Sequence, residues 1–143
     1  MSMIDGTVAL LQQNNPPWRS VQKLLSLAEL SSTTVILCPA LFVIEMASNP
    51  KPDVRGTGAY LQSVTETVGV VIVTQSINGQ HQDFTELRKA VKQRLFGQTP
   101  SEDYEPFWLG NGRLLGMNSG RASWLDNFVT EYTEDQLNYG PQE

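Results

Sequence analysis

Tyr60-Leu61-Gln62-Ser63-Val64-Thr65-Glu66-Thr67-Val68-Gly69-Val70-Val71-Ile72-Val73-Thr74 is the longest run of strand-favouring residues in the chain, and its reading decides the fold. Side chains alternate faces along a strand, so Val64, Val68, Val70 and Ile72 share one side, with Glu66 interrupting the row. Glu66 reads as a lone carboxylate in a pocket or, more often for such a position, as an exposed strand residue or a partner of Arg113 or Arg121 across the sheet. Val71 and Val73 are apolar on the opposite side, which predicts cover on both faces over the second half of the strand. Asn78-Gly79 breaks the alternation and a new period begins. Phe84, Leu87, Val91 and Leu95 recur at three- and four-residue steps, the spacing of one apolar stripe on a helix. Asp83 stands at the N-cap with Glu86 three residues on, as in a capping box. Gly97 and Pro100 end the helix, and Arg88, Lys89, Lys92 and Arg94 suit its later turns. A long strand followed by an amphipathic helix predicts an α+β fold.

Working outward, 143 residues suit one domain, long enough to remove roughly 68–70% of the unfolded surface from water. Hydrophobic content of 40% with 17% charged residues fits a globular chain. A formal charge of −5 and a pI near 4.8 argue against general nucleic-acid binding, which needs a basic surface. The single cysteine, Cys38, rules out an internal disulfide and a cysteine-rich zinc site, and its apolar neighbours make it a small core residue. No basic region precedes an apolar segment at the N-terminus, and no run approaches the ~18–20 apolar residues of a membrane span. The expectation is a protein made and kept in a reducing cytoplasm.

Ser2 predicts the cap of a first helix, with Ile4, Val8 and Leu11 on one face and Asp5 in the first turn. Asn14-Asn15-Pro16-Pro17 ends it. Trp18 to Leu30 reads as a strand-like entry followed by a helix. Thr33 to Glu45 is apolar almost throughout, yet Pro39 cannot donate to a ladder, so the strand begins at Ala40 and runs to Met46. Ser48 to Gly58 has no apolar period and forms an eleven-residue loop, the projecting tip of an antiparallel hairpin. Gln98 to Pro106 reads as a solvated connection. Gly110-Asn111-Gly112 predicts a tight hairpin between Phe107–Leu109 and Arg113–Leu115. Asn118-Ser119-Gly120 predicts a second turn into a final strand from Arg121 to Thr133. Trp124, Phe128 and Tyr132 share one face of that strand, with Leu125 and Val129 on the other. The domain therefore spans 1–133, with a polar tail over 134–143.

Chemistry-bearing constellations are scarce. His81 is the lone histidine and lies in a polar loop, where a solvated side chain is the ordinary reading. With one histidine and one cysteine, a zinc site would rest on carboxylates, so no metal is expected. Gly110-Asn111-Gly112-Arg113 lacks the Gly-Lys-Ser/Thr of a phosphate loop. Asp126 and Glu131 fall on opposite strand faces and cannot act as an acid–base pair. No cofactor and no enzymatic activity are expected, though a small enzyme using Glu66 with His81 is the reading that a His81→Ala variant would remove.

Three stretches, taken in order, carry a resemblance. Val64-Thr65-Glu66-Thr67-Val68-Gly69-Val70-Val71 resembles the "VTE-x-FGVV" strand of the phage tail terminator family. Phe84-Thr85-Glu86-Leu87-Arg88-Lys89-Ala90-Val91, ending in Leu95-Phe96-Gly97, is similar to that family's helix. Gly112-Arg113-Leu114-Leu115, then Trp124-Leu125-Asp126-Asn127-Phe128-Val129-Thr130-Glu131-Tyr132, resembles its closing "GGRLL … W-x-D-x-F-x-T-x-Y". Pro39-Ala40-Leu41-Phe42-Val43 with Gly56-Thr57-Gly58 matches its first long strand and loop, so the likeness spans Met3 to about Tyr132.

The resemblance implies a structural virion protein with a mixed, mostly antiparallel sheet, helices on one side and a long projecting loop. It further implies a homo-hexameric ring that stops growth of the tail tube at its head-proximal end. Its partners would be the tail tube protein, head–tail connector or neck proteins, and the sheath where a tail contracts. No membrane and no specific nucleic acid belong to that picture; the ring lumen is left for the genome. Assembly would take place in the host bacterial cytoplasm, with the finished protein in the virion neck. Asp53, Val54, Arg55, Thr57 and Tyr60 on the hairpin loop are the candidate interface. The competing readings are another head–tail completion protein and a non-enzymatic bacterial adaptor module.

Overall fold

A computed structural model describes residues 2–31, 37–52, 60–75, 83–118 and 120–139. Helix α1 (Met3–Leu11) is followed by strand β1 (Ser20–Leu24) and a 3-10 turn over Leu27–Ser31. Strands β2 (Ala40–Pro50) and β3 (Leu61–Gln75) come next, then helix α2 (Thr85–Leu95), β4 (Trp108–Asn118), β5 (Arg121–Asp135) and a last 3-10 turn over Gln136–Tyr139. The five strands make one sheet in the order β1-β2-β3-β5-β4. β1 runs parallel to β2, and every other neighbouring pair is antiparallel. The architecture is α+β, as the alternation and the helical stripe predict.

β3 is the centre of the sheet. It pairs with β2 on one side and with β5 on the other, in register from Leu61↔Asp135 to Gln75↔Arg121. Its two apolar rows feed two cores. Val68, Val70 and Ile72 face α1 and α2, packing with Met3, Leu11, Leu87, Val91, Leu95, Phe107 and Phe128. Val71 and Val73 face the other way and pack with Ala40, Phe42, Ile44 and Leu125, covered by Leu24, Leu27 and Leu30. Burying both rows is what a β-rich segment without polar alternation requires. Cys38 packs at the margin of the second core, half-buried rather than fully enclosed.

The cap of α1 follows the sequence, whereas that of α2 is shifted by one residue: Phe84, not Asp83, stands at the N-cap, its own side chain makes no capping bond, and no capping box with Glu86 forms. Ser2 Oγ accepts the amide of Asp5 at 3.1 Å. Asp83 Oδ1 accepts the Thr85 amide at 2.9 Å and its hydroxyl at 2.7 Å, capping α2 from just outside its first turn, while Glu86 stays exposed. Hydrogen bonding to Thr85 holds the Asp83 carboxyl below its ordinary range. The buried face of α1 is rotated from the expected one: Met3, Gly6, Thr7 and Leu11 are buried, with Ile4 and Val8 at the flank. Two contacts turn it. A side chain at Gly6 would collide with the carbonyl oxygen of Pro100, so the helix comes down there. The Thr7 hydroxyl donates to Met3 O at 2.8 Å, which lets a polar residue lie buried. Arg94 ties the helices together, donating to Gln13 O at 3.0 Å and Asn14 O at 3.1 Å, with its guanidinium 4.8 Å from the Trp18 ring centroid.

Four expectations are corrected. The strand-like entry of Trp18–Leu30 is β1, but the helix after it is only a 3-10 turn. β2 continues through Ser48, Asn49 and Pro50, so the hairpin loop is shorter than eleven residues at its first end. Gly110-Asn111-Gly112 does not turn the chain. β4 passes straight through these residues, with a register shift against β5 between Leu109 and Gly112. The glycines are used for close approach: a Cβ on Gly110 would press on Asn127 at 3.1 Å, and one on Gly112 would strike the Asp126 carboxylate. Finally, Glu134 and Asp135 complete β5, and the 3-10 turn takes Gln136–Tyr139 out of the expected tail.

Candidate functional site

Two carboxylates lie buried on the helix-bearing face of the sheet. Asp126 on β5 sits opposite Val70, with 5% of its surface exposed. Arg88 of α2 forks onto it, Nε to Oδ2 at 2.9 Å and Nη2 to Oδ1 at 3.1 Å, and the Trp124 indole N–H donates to Oδ1 at 3.1 Å. The guanidinium lies 4.5 Å from the Trp124 ring centroid, and the Phe84 ring packs against the same indole at a centroid distance of 5.8 Å. This clamp fixes the start of α2 over β5. Side-chain periodicity points to it, since an acid on the same strand face as Phe128 needs a cationic partner, but the pairing with Arg88 takes the fold to see.

Glu66 is the second. It sits on β3 opposite Thr130 of β5 and Ser48 of β2, with 6% of its surface exposed, so neither the solvated position nor a partner in Arg113 or Arg121 is found. Burial pushes its carboxyl up; the Ser48 hydroxyl opposes this by hydrogen bonding to it, and the nearby Glu45 and Glu134 charges add to the rise. Its Oε2 is buried without a hydrogen-bond partner among the described residues.

Beside Glu66 at this end of the sheet, the chain before β4 runs along the outer edge of β5, with the Glu105 amide on Glu131 O at 2.8 Å and a bridge between Tyr104 and Tyr132. The two phenol rings stand 5.1 Å apart, and the Tyr132 hydroxyl donates to Glu134 Oε1 at 2.6 Å. A cleft of about 410 Å³ opens there, lined by Asp103, Tyr104, Glu105, Tyr132 and Glu134 among others. Both phenols are pushed up, foremost by burial. After burial, the Glu66 charge acts most on Tyr104, and the Glu134 carboxylate acts most on Tyr132. Glu131 on the opposite face is held down by Lys51, 2.8 Å away.

β4 is the outer strand of the sheet on this side. Trp108 (41% exposed), Leu109 and Leu114 (50% exposed) bring apolar surface to that edge, and Arg113 is exposed among them. Such an edge leaves backbone donors and acceptors open to another chain.

Of the sequence-predicted interface, Asp53, Val54, Arg55 and Thr57 lie outside the described residues, as does His81. Tyr60 is half-buried and bound into the fold, its carbonyl accepting the Gln136 amide at 2.9 Å. Among the described residues no group of three or more His, Cys, Asp or Glu is placed to hold a metal ion, and no helix is long and apolar enough to cross a membrane.

A mixed sheet backed by two helices, with an apolar outer strand, defines an α+β protein. The family model described as phage tail terminator protein matches residues 5–138, nearly the whole length. The chain belongs to the phage tail terminator family, a structural family of the phage tail. No curated protein matches it.

Proposed function

We propose that this chain forms a six-membered ring that seats on the head-proximal end of a phage tail tube, halts polymerisation there and offers its other surface to head–tail connector proteins. The family match over residues 5–138 carries the reading. The outer edge of β4, which pairs with no further strand among the described residues, supports it, because a closed ring needs a patch that meets a different patch on the next copy. The β2–β3 connection, through Asp53, Val54, Arg55 and Thr57, would meet a neighbouring subunit or the tube. The role is structural, and the protein works in the virion neck after assembly in the host cytoplasm.

Light scattering over a concentration series, followed by addition of purified tail tubes, tests the proposal. A mass near six times 15.9 kDa, or density capping one end of the tube, is the expected result. A monomer that ignores tube ends would overturn it.

A further inference from the structure

Glu66 and Thr130 stand directly opposite each other in the β3–β5 ladder, 6% and 0% exposed. Opposed residues project from the same face of a sheet, with Cβ atoms about 4.5–5.5 Å apart. The Thr130 hydroxyl is nevertheless given to another group. It donates to the Glu105 carbonyl at 2.5 Å, holding the strip before β4 against the edge of β5. The Glu105 amide on Glu131 O at 2.8 Å and the Tyr104–Tyr132 bridge complete that attachment. Across the ladder, Glu66 Oε2 is buried with no partner among the described residues.

A threonine hydroxyl has one proton to donate, so it can serve the Glu105 carbonyl or the Glu66 carboxylate, not both. The protonation state of Glu66 decides between them. A protonated carboxyl carries its own O–H and makes little demand on a neighbouring donor. An ionised one accepts charge-assisted hydrogen bonds, roughly twice as strong as that to a neutral carbonyl, and it is costly to bury without them. Glu45 and Ser48 face Glu66 from β2, Tyr132 and Glu134 from β5, and Tyr104 from the strip; none of these is a cation. Glu134 is engaged by the Tyr132 hydroxyl, Arg88 by Asp126, and Lys51 by Glu131 on the opposite face. Burial foremost pushes the Glu66 carboxyl up, which places its titration above 4.5.

We propose that Glu66 and Thr130 form a proton-dependent latch: protonated Glu66 leaves the Thr130 hydroxyl on the Glu105 carbonyl, and ionised Glu66 draws it away and loosens the Tyr104–Glu105 strip from β5. The latched state holds the extra proton, so rising pH opens it and falling pH closes it. Opening takes the Glu105 amide from the Glu131 carbonyl and leaves that stretch of β5 an unpaired edge. The latch belongs to the single chain and does not rest on the ring proposed above.

Carbonyl-carbon NMR of the full-length chain, titrated from about pH 4.5 to about pH 8, tests it. The Glu105 backbone carbonyl should move with the same midpoint as the Glu66 side-chain carboxyl, while the Glu105 amide loses about tenfold in protection from solvent exchange. Glu66→Gln should hold both Glu105 signals in the latched position throughout. Thr130→Val should uncouple Glu105 from the Glu66 titration, and Thr130→Ser, which keeps the hydroxyl, should retain the coupling. Glu134→Gln should also retain it, so this variant against Glu66→Gln identifies the titrating carboxylate even where the valine variant fails to fold. A Glu105 carbonyl that stays still or follows a different midpoint overturns the latch. So does a pH response that survives Glu66→Gln, or a coupling that survives Thr130→Val in a folded chain.

Discussion

Asp126 and Glu66 are both buried carboxylates on one face of one sheet, yet only the first is answered from within the molecule. Asp126 has a forked arginine and an indole N–H. Glu66 has no arginine and no indole, and its Oε2 is buried with no donor among the described residues. The contrast separates two uses of buried charge. One locks a helix to a strand, and its removal should damage the fold. The other leaves a cost in the isolated chain, and its removal should relieve the fold.

The largest effect expected is from Asp126→Ala, which strands the Arg88 guanidinium half-buried beside Trp124. Loss of about 3 kcal/mol in urea unfolding is expected; a change within error would mean that Arg88 simply swings into water. Next comes Gly112→Ala, whose new methyl group must displace the Asp126 carboxylate from its partners. It should cost about 2 kcal/mol and shift the near-ultraviolet signal of Trp124. A neutral result would show that the clamp tolerates movement.

Glu66→Gln should act in the opposite direction. A carboxyl raised above its ordinary 4.5 keeps its proton in the folded state at pH values where the unfolded chain has lost it. The folded state therefore binds more protons, and stability falls as pH rises from 4.5 through the raised value. The substitution should erase that slope and stabilise the protein at pH 8 by about 1 kcal/mol, or a few degrees in melting temperature. Destabilisation at pH 8 would break the comparison. Below the ordinary carboxylate range the sign reverses, because Asp5, Asp83 and Glu131 are each held low by hydrogen bonds and lose those contacts when protonated. Smallest of all should be Lys51→Ala, which removes a solvent-exposed pair with Glu131; its melting temperature should be indistinguishable from the parent at high salt.

The same contrast marks what was legible in the sequence. The two-sided apolar pattern of β3, the stripe on α2 and the Ser2 cap are local signals, and the structure bears them out. Gly110-Asn111-Gly112 misleads because glycine serves two physical purposes. The pattern cannot distinguish a turn that needs positive φ from a strand that needs room for a neighbour, and here the neighbours are Asn127 and Asp126, up to 17 residues away in sequence. Glu66 misleads for a related reason. Period-two alternation assigns it a face correctly, but its 6% exposure is set by how that face is packed, which the alternation does not encode. The candidate loop residues 53–57 rest on loop length and position alone, and those signals carry no contact information.

The β3–β5 ladder has a mechanical meaning as well. Both strands are 15 residues long and paired from end to end, a ribbon of about 50 Å. Pulled along its length, this ribbon is loaded in shear, so many hydrogen bonds resist together before any one yields. Pulled sideways at β4, the sheet opens like a zipper, and its register shifts at Leu109/Gly112 and Leu114/Gly116 are natural points for the tear to begin. The sheet would thus be stiff along the strand axis and weak at its outer seam.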